Sequence, residues 1–161
     1  MSPGQLLGKY RGVVTNNRDP ERLGRVRARV ADVLGGAESG WALPAVPYAG
    51  SGVGAFLIPP VNTLVWIEFE HGDTDYPIWT GCFWASDDVP ATAGDPDVKV
   101  IATDACTLTL EDGGGDPTIT LTVGGVTISM DSAGVSIDAS SGEVKVNGTH
   151  VSVNDGALDV T

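Results

Sequence analysis

Thr118-Ile-Thr-Leu-Thr-Val123, a Gly124-Gly125 pair, then Val126-Thr-Ile-Ser-Met130: apolar and small hydroxyl side chains alternate without a break on both sides of a two-glycine turn. Alternation at period two puts one side chain on each face of an extended strand. The pattern spreads outward in both directions. It runs back through Thr107-Leu-Thr-Leu110 and forward through Val135-Ser-Ile137, Val144-Lys-Val146, Val151-Ser-Val153 and Leu158-Asp-Val160. Asp112-Gly-Gly-Gly115, Asp131-Ser-Ala-Gly134, Asn147-Gly148 and Asn154-Asp-Gly156 punctuate it with turn chemistry. Each strand and turn takes about eight to nine residues.

The apolar members are Val, Ile and Leu, and no aromatic residue follows Trp84. Short strands of small side chains make a thin core, and an isolated β domain needs more. Two architectures meet the pattern. One is an antiparallel meander within a single chain. The other, favoured here, is a prism in which several chains wrap together and stacked layers bury one another.

The chain has 161 residues and a formal net charge of -12. Residues 1–90 hold seven basic and ten acidic side chains; residues 91–161 hold two and eleven. The acidity therefore belongs to the alternating tail, which cannot attract phosphate backbones or anionic membranes. No basic, long apolar leader opens the sequence, so cytoplasmic synthesis without a signal peptide is expected. Cys82 and Cys106 lack metal-site or framework spacing and read as reduced, buried thiols.

The first ninety residues have a different texture. Residues 7–15 read as a strand, followed by the turn Asn16-Asn-Arg-Asp-Pro20. Val26, Ala28 and Val30 alternate with Arg25, Arg27 and Arg29, which places the three arginines along one strand face. That face is either solvated or meets an acidic partner. Trp41 to Tyr48 is proline-rich and extended, and Gly50 to Gly54 reads as a loop. Leu64-Val-Trp-Ile-Glu-Phe-Glu70 alternates, with Val65, Ile67 and Phe69 on one side. His71 to Asp75 is a tight turn, and Ile78 to Trp84 a further strand. No helical period is evident, and about five strands in this length suggest a small barrel. Residues 86–97, rich in Asp, Pro and Gly, read as a linker between a 1–85 head and a 98–161 shaft.

Gly12-Val-Val-Thr-Asn-Asn-Arg-Asp-Pro-Glu-Arg-Leu-Gly-Arg-Val-Arg27 resembles the opening of the OB-fold domain in the phage baseplate spike family. That family includes phage baseplate assembly protein V and the valine-glycine-repeat spike of type VI secretion. Trp41, Pro47-Tyr-Ala-Gly50 and residues 54–60 look like its tryptophan and small-residue loop. Phe69-Glu-His-Gly-Asp-Thr-Asp-Tyr-Pro-Ile-Trp-Thr-Gly81 is similar to its most specific block, with Thr74 where a proline is more usual. Phe83-Trp84 ends the domain in the family's manner. The resemblance covers about residues 7–84 and implies an all-β chain: an OB-fold barrel, then an intertwined trimeric β-helix. It implies a homotrimeric structural spike, seated on a baseplate hub protein of a contractile phage tail or injection system. The particle would drive it through a target envelope, the only membrane contact expected.

Arg25, Arg27 and Arg29 are the hub-contact candidates. Residues 157–161 are expected to form a platform for a PAAR-type cap protein, with Leu158 and Val160 as the apolar contacts. The alternative is a tip closed on an ion held by three copies of His150, but the family's His-x-His pattern is missing and alternation places His150 opposite Val151. Glu68, Glu70, Asp73 and Asp75 cluster near one hairpin, yet Asp in turns is expected for backbone reasons. No catalytic residue, metal or cofactor is expected, and no nucleic acid partner. A nucleic-acid- or glycan-binding OB module trimerised by its tail stands as the alternative function, and an envelope-degrading enzyme as a third.

Overall fold

A computed structural model describes residues 6–160, with the backbone alone for Asp159. The chain divides into two compact units, Met1–Asp87 and Asp88–Thr161.

The head is built from β1 (Tyr10–Asn16), β2 (Arg27–Arg29), β3 (Leu43–Pro44), β4 (Ala49–Gly50), β5 (Val53–Gly54), β6 (Leu64–Phe69) and β7 (Pro77–Cys82). Five of these form one sheet in the order β2-β1-β6-β7-β3, and β4 pairs with β5 in a small hairpin. The neighbours are antiparallel except β3 and β7, which run parallel. Residues 38–44 then return to β2 through bridges at Val26–Ala42 and Arg29–Glu38. Ser39 strengthens this seam: its N–H donates to the Ala28 carbonyl (2.9 Å) and its Oγ accepts from Ala28 N–H (3.0 Å). The sheet thus meets itself across residues 38–44 and β2, closing a five-stranded barrel. Register shifts at Val14/Asn16 and Val65/Ile67 supply the local bends that closure requires.

The barrel core is Val14, Val26, Ala28, Val30, Ala42, Val65, Ile67, Phe69 and Trp79. Val65, Ile67 and Phe69 point inward on β6, as their alternation implies. A one-turn helix, α1 (Ala31–Leu34), follows β2; four residues are too few to leave a helical period in the sequence. The first strand begins at Tyr10 rather than Leu7. Among the aromatics only Phe69 and Trp79 are buried, since the narrow barrel is filled by β-branched and small side chains.

The tail contains β8 (Val98–Ala102), β9 (Cys106–Glu111), β10 (Thr118–Val123), β11 (Val126–Met130), β12 (Val135–Ala139), β13 (Gly142–Asn147), β14 (His150–Val153) and β15 (Leu158–Val160). They form one antiparallel sheet in strict sequence order. Within one chain the topology is therefore the meander. Strands β9 to β14 are paired on both sides within the chain, so the ladder is intramolecular. Neither cysteine is buried: Cys82 is exposed, Cys106 half-buried, and both are free thiols.

Candidate functional site

The strand registers decide which residues of the tail share a face. Ile101, Leu108, Leu121, Ile128, Ile137, Val144, Val153 and Leu158 stand opposite one another in turn, one from each of the eight strands. A second row on the same face runs Leu110, Ile119, Met130, Val135, Val146, Val151, Val160. The opposite face carries Thr109, Thr120, Ser129, Ser136, Lys145 and Ser152 in continuous register. The Ser129 and Ser136 hydroxyls lie 2.6 Å apart across that face.

The apolar face has no cover among the described residues. Leu121 and Ile128 are each 40% exposed and Val123 and Met130 49%, while the threonines of β10 on the other side are less exposed. Among the described residues, no side chain of the tail is buried. A contiguous apolar surface spanning eight strands marks an interaction site. This face is the dominant feature of the tail.

Leu158 and Val160 lie on that same face, 61% and 57% exposed. Their strand, β15, pairs with β14 alone among the described residues, which leaves its outer main-chain edge open. Thr161, the last residue of the expected cap platform, lies outside the described residues. His150 stands opposite Asn147 on the polar face.

The arginine stripe resolves into three different environments. Arg25 precedes β2 and is held by Asp19, its Nη2 2.6 Å and Nε 3.1 Å from Asp19 Oδ1. Asp19 also accepts the backbone N–H groups of Glu21, Leu23 and Arg25. This one carboxylate organises the whole turn, and the Arg25 guanidinium beside it holds its pKa far below the usual carboxylate range. Arg27 bonds Glu38 (3.1 Å) and lies 4.8 Å from the Trp41 ring centre. The Thr15 hydroxyl and then Arg27 lower the pKa of Glu38. Arg29 is exposed. The structure thus brings Arg27 and Arg29 onto one strand and assigns Arg25 to the turn.

The charge on Asp19 can be tested through pH. Its folded pKa is depressed, so its stabilisation is complete above the unfolded carboxylate value of about 4 and is lost as pH falls below it. Asp19→Asn is expected to lower the head's thermal midpoint at pH 7 by about 5 °C or more. The gap to wild type should shrink between pH 4 and pH 2.5. Tryptophan fluorescence reports this melt because all four tryptophans lie in the head. A gap unchanged across that range would mean that the carboxylate charge does not hold the turn.

Two of the four carboxylates near the β6–β7 hairpin, those of Glu68 and Asp73, have structural duties. Glu68 pairs with Lys9 (2.7 Å). Asp73 Oδ1 accepts Asp75 N–H (3.0 Å), and the Glu70 N–H and Tyr76 carbonyl close the turn (2.9 Å). His71 takes a left-handed backbone conformation (φ 54°) and shapes the turn through its main chain. Among the described residues no group of three His, Cys, Asp or Glu side chains could hold a metal ion.

One surface carried no periodic signal in the sequence. Between β3 and β6 the chain makes a 45–63 excursion that exposes Tyr48, Val53, Phe56 and Leu57 by 54–69%. With Leu23 and Ile58 it lines a cleft of about 460 Å³.

Residues 10–84 match the type VI secretion system/phage-baseplate injector OB domain. Residues 98–159 match the phage baseplate V C-terminal trimerisation domain. The type VI secretion system spike protein VgrG4b of Pseudomonas aeruginosa is 36% identical over 88 residues, 50% of this chain but only 11% of that protein. No helix among the described residues is long and apolar enough to cross a membrane. A closed OB barrel followed directly by a trimerisation sheet, each matched over nearly its whole length, means that the chain belongs to the baseplate spike family of phage tails and type VI injectors.

Proposed function

We propose that three copies of this chain form the central puncturing spike of a contractile tail or injection particle, a structural and non-catalytic role. The observation that carries this reading is the uncovered apolar face spanning all eight strands of the segment matched to a trimerisation domain. Three such sheets, apolar faces inward and Thr/Ser faces outward, make a three-sided β-helical prism whose core no single chain can close. Each chain keeps its own hydrogen-bonded ladder, so bending the shaft means straining three intact sheets against a common core. The last three strands shorten from six residues to four to three. At about 3.3 Å per residue the prism narrows towards β15, which suits a leading end.

The head would sit on a baseplate hub, with Arg29 and the exposed part of Arg27 as the basic contacts; Arg25 is engaged by Asp19. The open edge of β15 would receive a PAAR-type cap through main-chain pairing, with Leu158 and Val160 as apolar neighbours. A nucleic-acid-binding role is disfavoured by the aromatics themselves. Arg11 lies 5.7 Å and 5.3 Å from the Trp66 and Phe83 ring centres, and Arg25 and Arg27 crowd Trp41. Three of the rings on which bases could stack are taken up in this way, and the formal net charge of -12 repels a phosphate backbone from the exposed Tyr48, Phe56, Tyr76 and Trp84.

Sedimentation of the full chain at micromolar concentration is expected to give three times the 16.6 kDa chain mass. A folded monomer would overturn the proposal. Pull-down of the cognate cap protein should be lost in Leu158→Asp and kept in His150→Ala; stoichiometric iron or zinc in the wild-type protein, lost in His150→Ala, would favour a tip closed by His150.

A further inference from the structure

Two stretches of the head, distant in sequence, wall one cleft. One is the turn that Asp19 organises, residues 17–24; the other is the 45–63 excursion. Asn17 Nδ2 donates to the Pro59 carbonyl (3.0 Å), which ties the walls together. The buried Trp79 Nε1 donates to the Gly24 carbonyl (3.1 Å), which ties them to the barrel. Gly24 is the floor: a Cβ there would stand 2.9 Å from Ile58 Cδ1 and 3.2 Å from Phe56 Cε2, an approach that glycine permits. The 460 Å³ cleft runs into a second of about 540 Å³, and the two share Arg22, Gly24, Phe56 and Ile58.

The two walls differ in chemistry. The excursion supplies exposed apolar side chains, Tyr48, Val53 and Phe56. The turn supplies charge. Asp19 lines the second cleft, but its carboxylate is taken up by Arg25 and three backbone N–H groups. Glu21 pairs with Arg25 (3.0 Å). Arg18 and Arg22 are exposed and form no ion pair among the described residues. Arg22 is fixed by the same turn, its N–H donating to the Asp19 carbonyl (3.1 Å) and its backbone left-handed (φ 58°). Unneutralised guanidinium groups beside an apolar trough complement a ligand with both carboxylates and apolar groups. A glycan or small polar metabolite needs several convergent polar side chains, yet Asn17 is engaged by Pro59 and the excursion wall is apolar. An extended protein segment carries both kinds of group at adjacent positions. Strands β4 and β5 pair only with each other among the described residues, so their main-chain edges are open to it.

We propose that this cleft docks an extended acidic and apolar segment of a partner protein. Arg18 and Arg22 meet its carboxylates; Tyr48, Val53 and Phe56 meet its apolar side chains. The site lies wholly within the head and stands whether or not three chains associate.

The test selects a phage-displayed library of random decapeptides on the full chain. Two variants are run in parallel, one with Arg18→Glu and Arg22→Glu together, the other with Phe56→Ser. All three side chains are exposed, so the tryptophan-fluorescence melt of each variant should match wild type. Peptides enriched on wild type are expected to place Asp or Glu beside Leu, Ile, Phe or Trp. A labelled synthetic copy should bind each variant at least about tenfold more weakly than wild type. Its binding to wild type should weaken at least about threefold between about 0.05 and about 0.5 M salt, as a screened charge contact does. No enrichment, or enriched peptides that bind both folded variants as well as wild type, overturns the proposal. Vesicles of phosphatidylglycerol and phosphatidylcholine are the last arm. If they bind wild type but not the arginine variant, and no peptide is enriched, the cleft belongs to a membrane surface and the proposal falls.

Discussion

Leu121→Asp is expected to abolish the trimer, while Thr120→Asp, one residue away on the same strand, leaves it intact. Both positions belong to β10, and aspartate is an equally poor strand former at each. They differ in face. Leu121 lies between Leu108 and Ile128 in the central apolar row; Thr120 lies between Thr109 and Ser129 on the hydroxyl face. In a single chain 40% of Leu121 remains exposed, and that remainder is what a closed prism would bury. Its burial would contribute about 1 kcal/mol, and an unpaired carboxylate there would cost several more. Every trimer carries the change three times, so the loss is of the order of 10 kcal/mol or more. Sedimentation at micromolar concentration would read Leu121→Asp as monomer or aggregate and Thr120→Asp as trimer. A trimer in both, with equal thermal midpoints, would mean that the apolar face is not where the chains meet.

The contrast shows what was legible in the sequence. Period-two alternation between short turns specifies faces, and the tail is little else, so which residues share a face could be read directly. Whether the ladder bonds lie within or between chains could not, because alternation is blind to the partner strand. The sequential register places them within the chain. In the head the signal was mixed. Val65, Ile67 and Phe69 were readable because β6 is buried on one side. Arg25 seemed to continue the alternation of β2, but Asp19 holds it in the preceding turn, a tertiary contact that periodicity does not encode. The five-stranded barrel has room for Val14, Val26 and Ala28 and leaves Tyr48, Phe56, Tyr76 and Trp84 outside, a size limit that no local pattern states. The 45–61 stretch was legible as a loop, but loop residues have no period, so only exposure reveals its apolar patch.

The second large effect is expected at Gly134, in the turn between β11 and β12. A Cβ there would stand 1.9 Å from the Val146 carbonyl oxygen and 3.0 Å from Asn147 Cα, both main-chain atoms of the neighbouring strand. Main chain cannot rotate away as a flexible side chain can. The backbone at Gly134 also has φ +157°, which non-glycine residues rarely adopt. The turn is fixed from the other side as well, since Asp131 Oδ1 accepts the N–H groups of Ala133 and Gly134 (2.8 and 3.0 Å) and Asp131 N–H donates to the Gly134 carbonyl (3.0 Å). Gly134→Ala must therefore part β12 from β13 where Val135 faces Val146, in the second apolar row. Strain of this kind costs about 1–3 kcal/mol before the clash is counted, and it recurs in every chain of an assembly. The expected result is loss of the cooperative far-UV melt of the shaft, with the head's tryptophan fluorescence little changed. Gly124→Asn is the control: its φ of +57° suits Asn, nothing lies within 4 Å of the added Cβ, and the midpoint should move by no more than about 2 °C. Were Gly134→Ala to melt like wild type, the 131–134 turn could not hold Gly134 against the Val146 carbonyl. The register of β12 on β13, and with it the continuity of the apolar rows, would have to be redrawn.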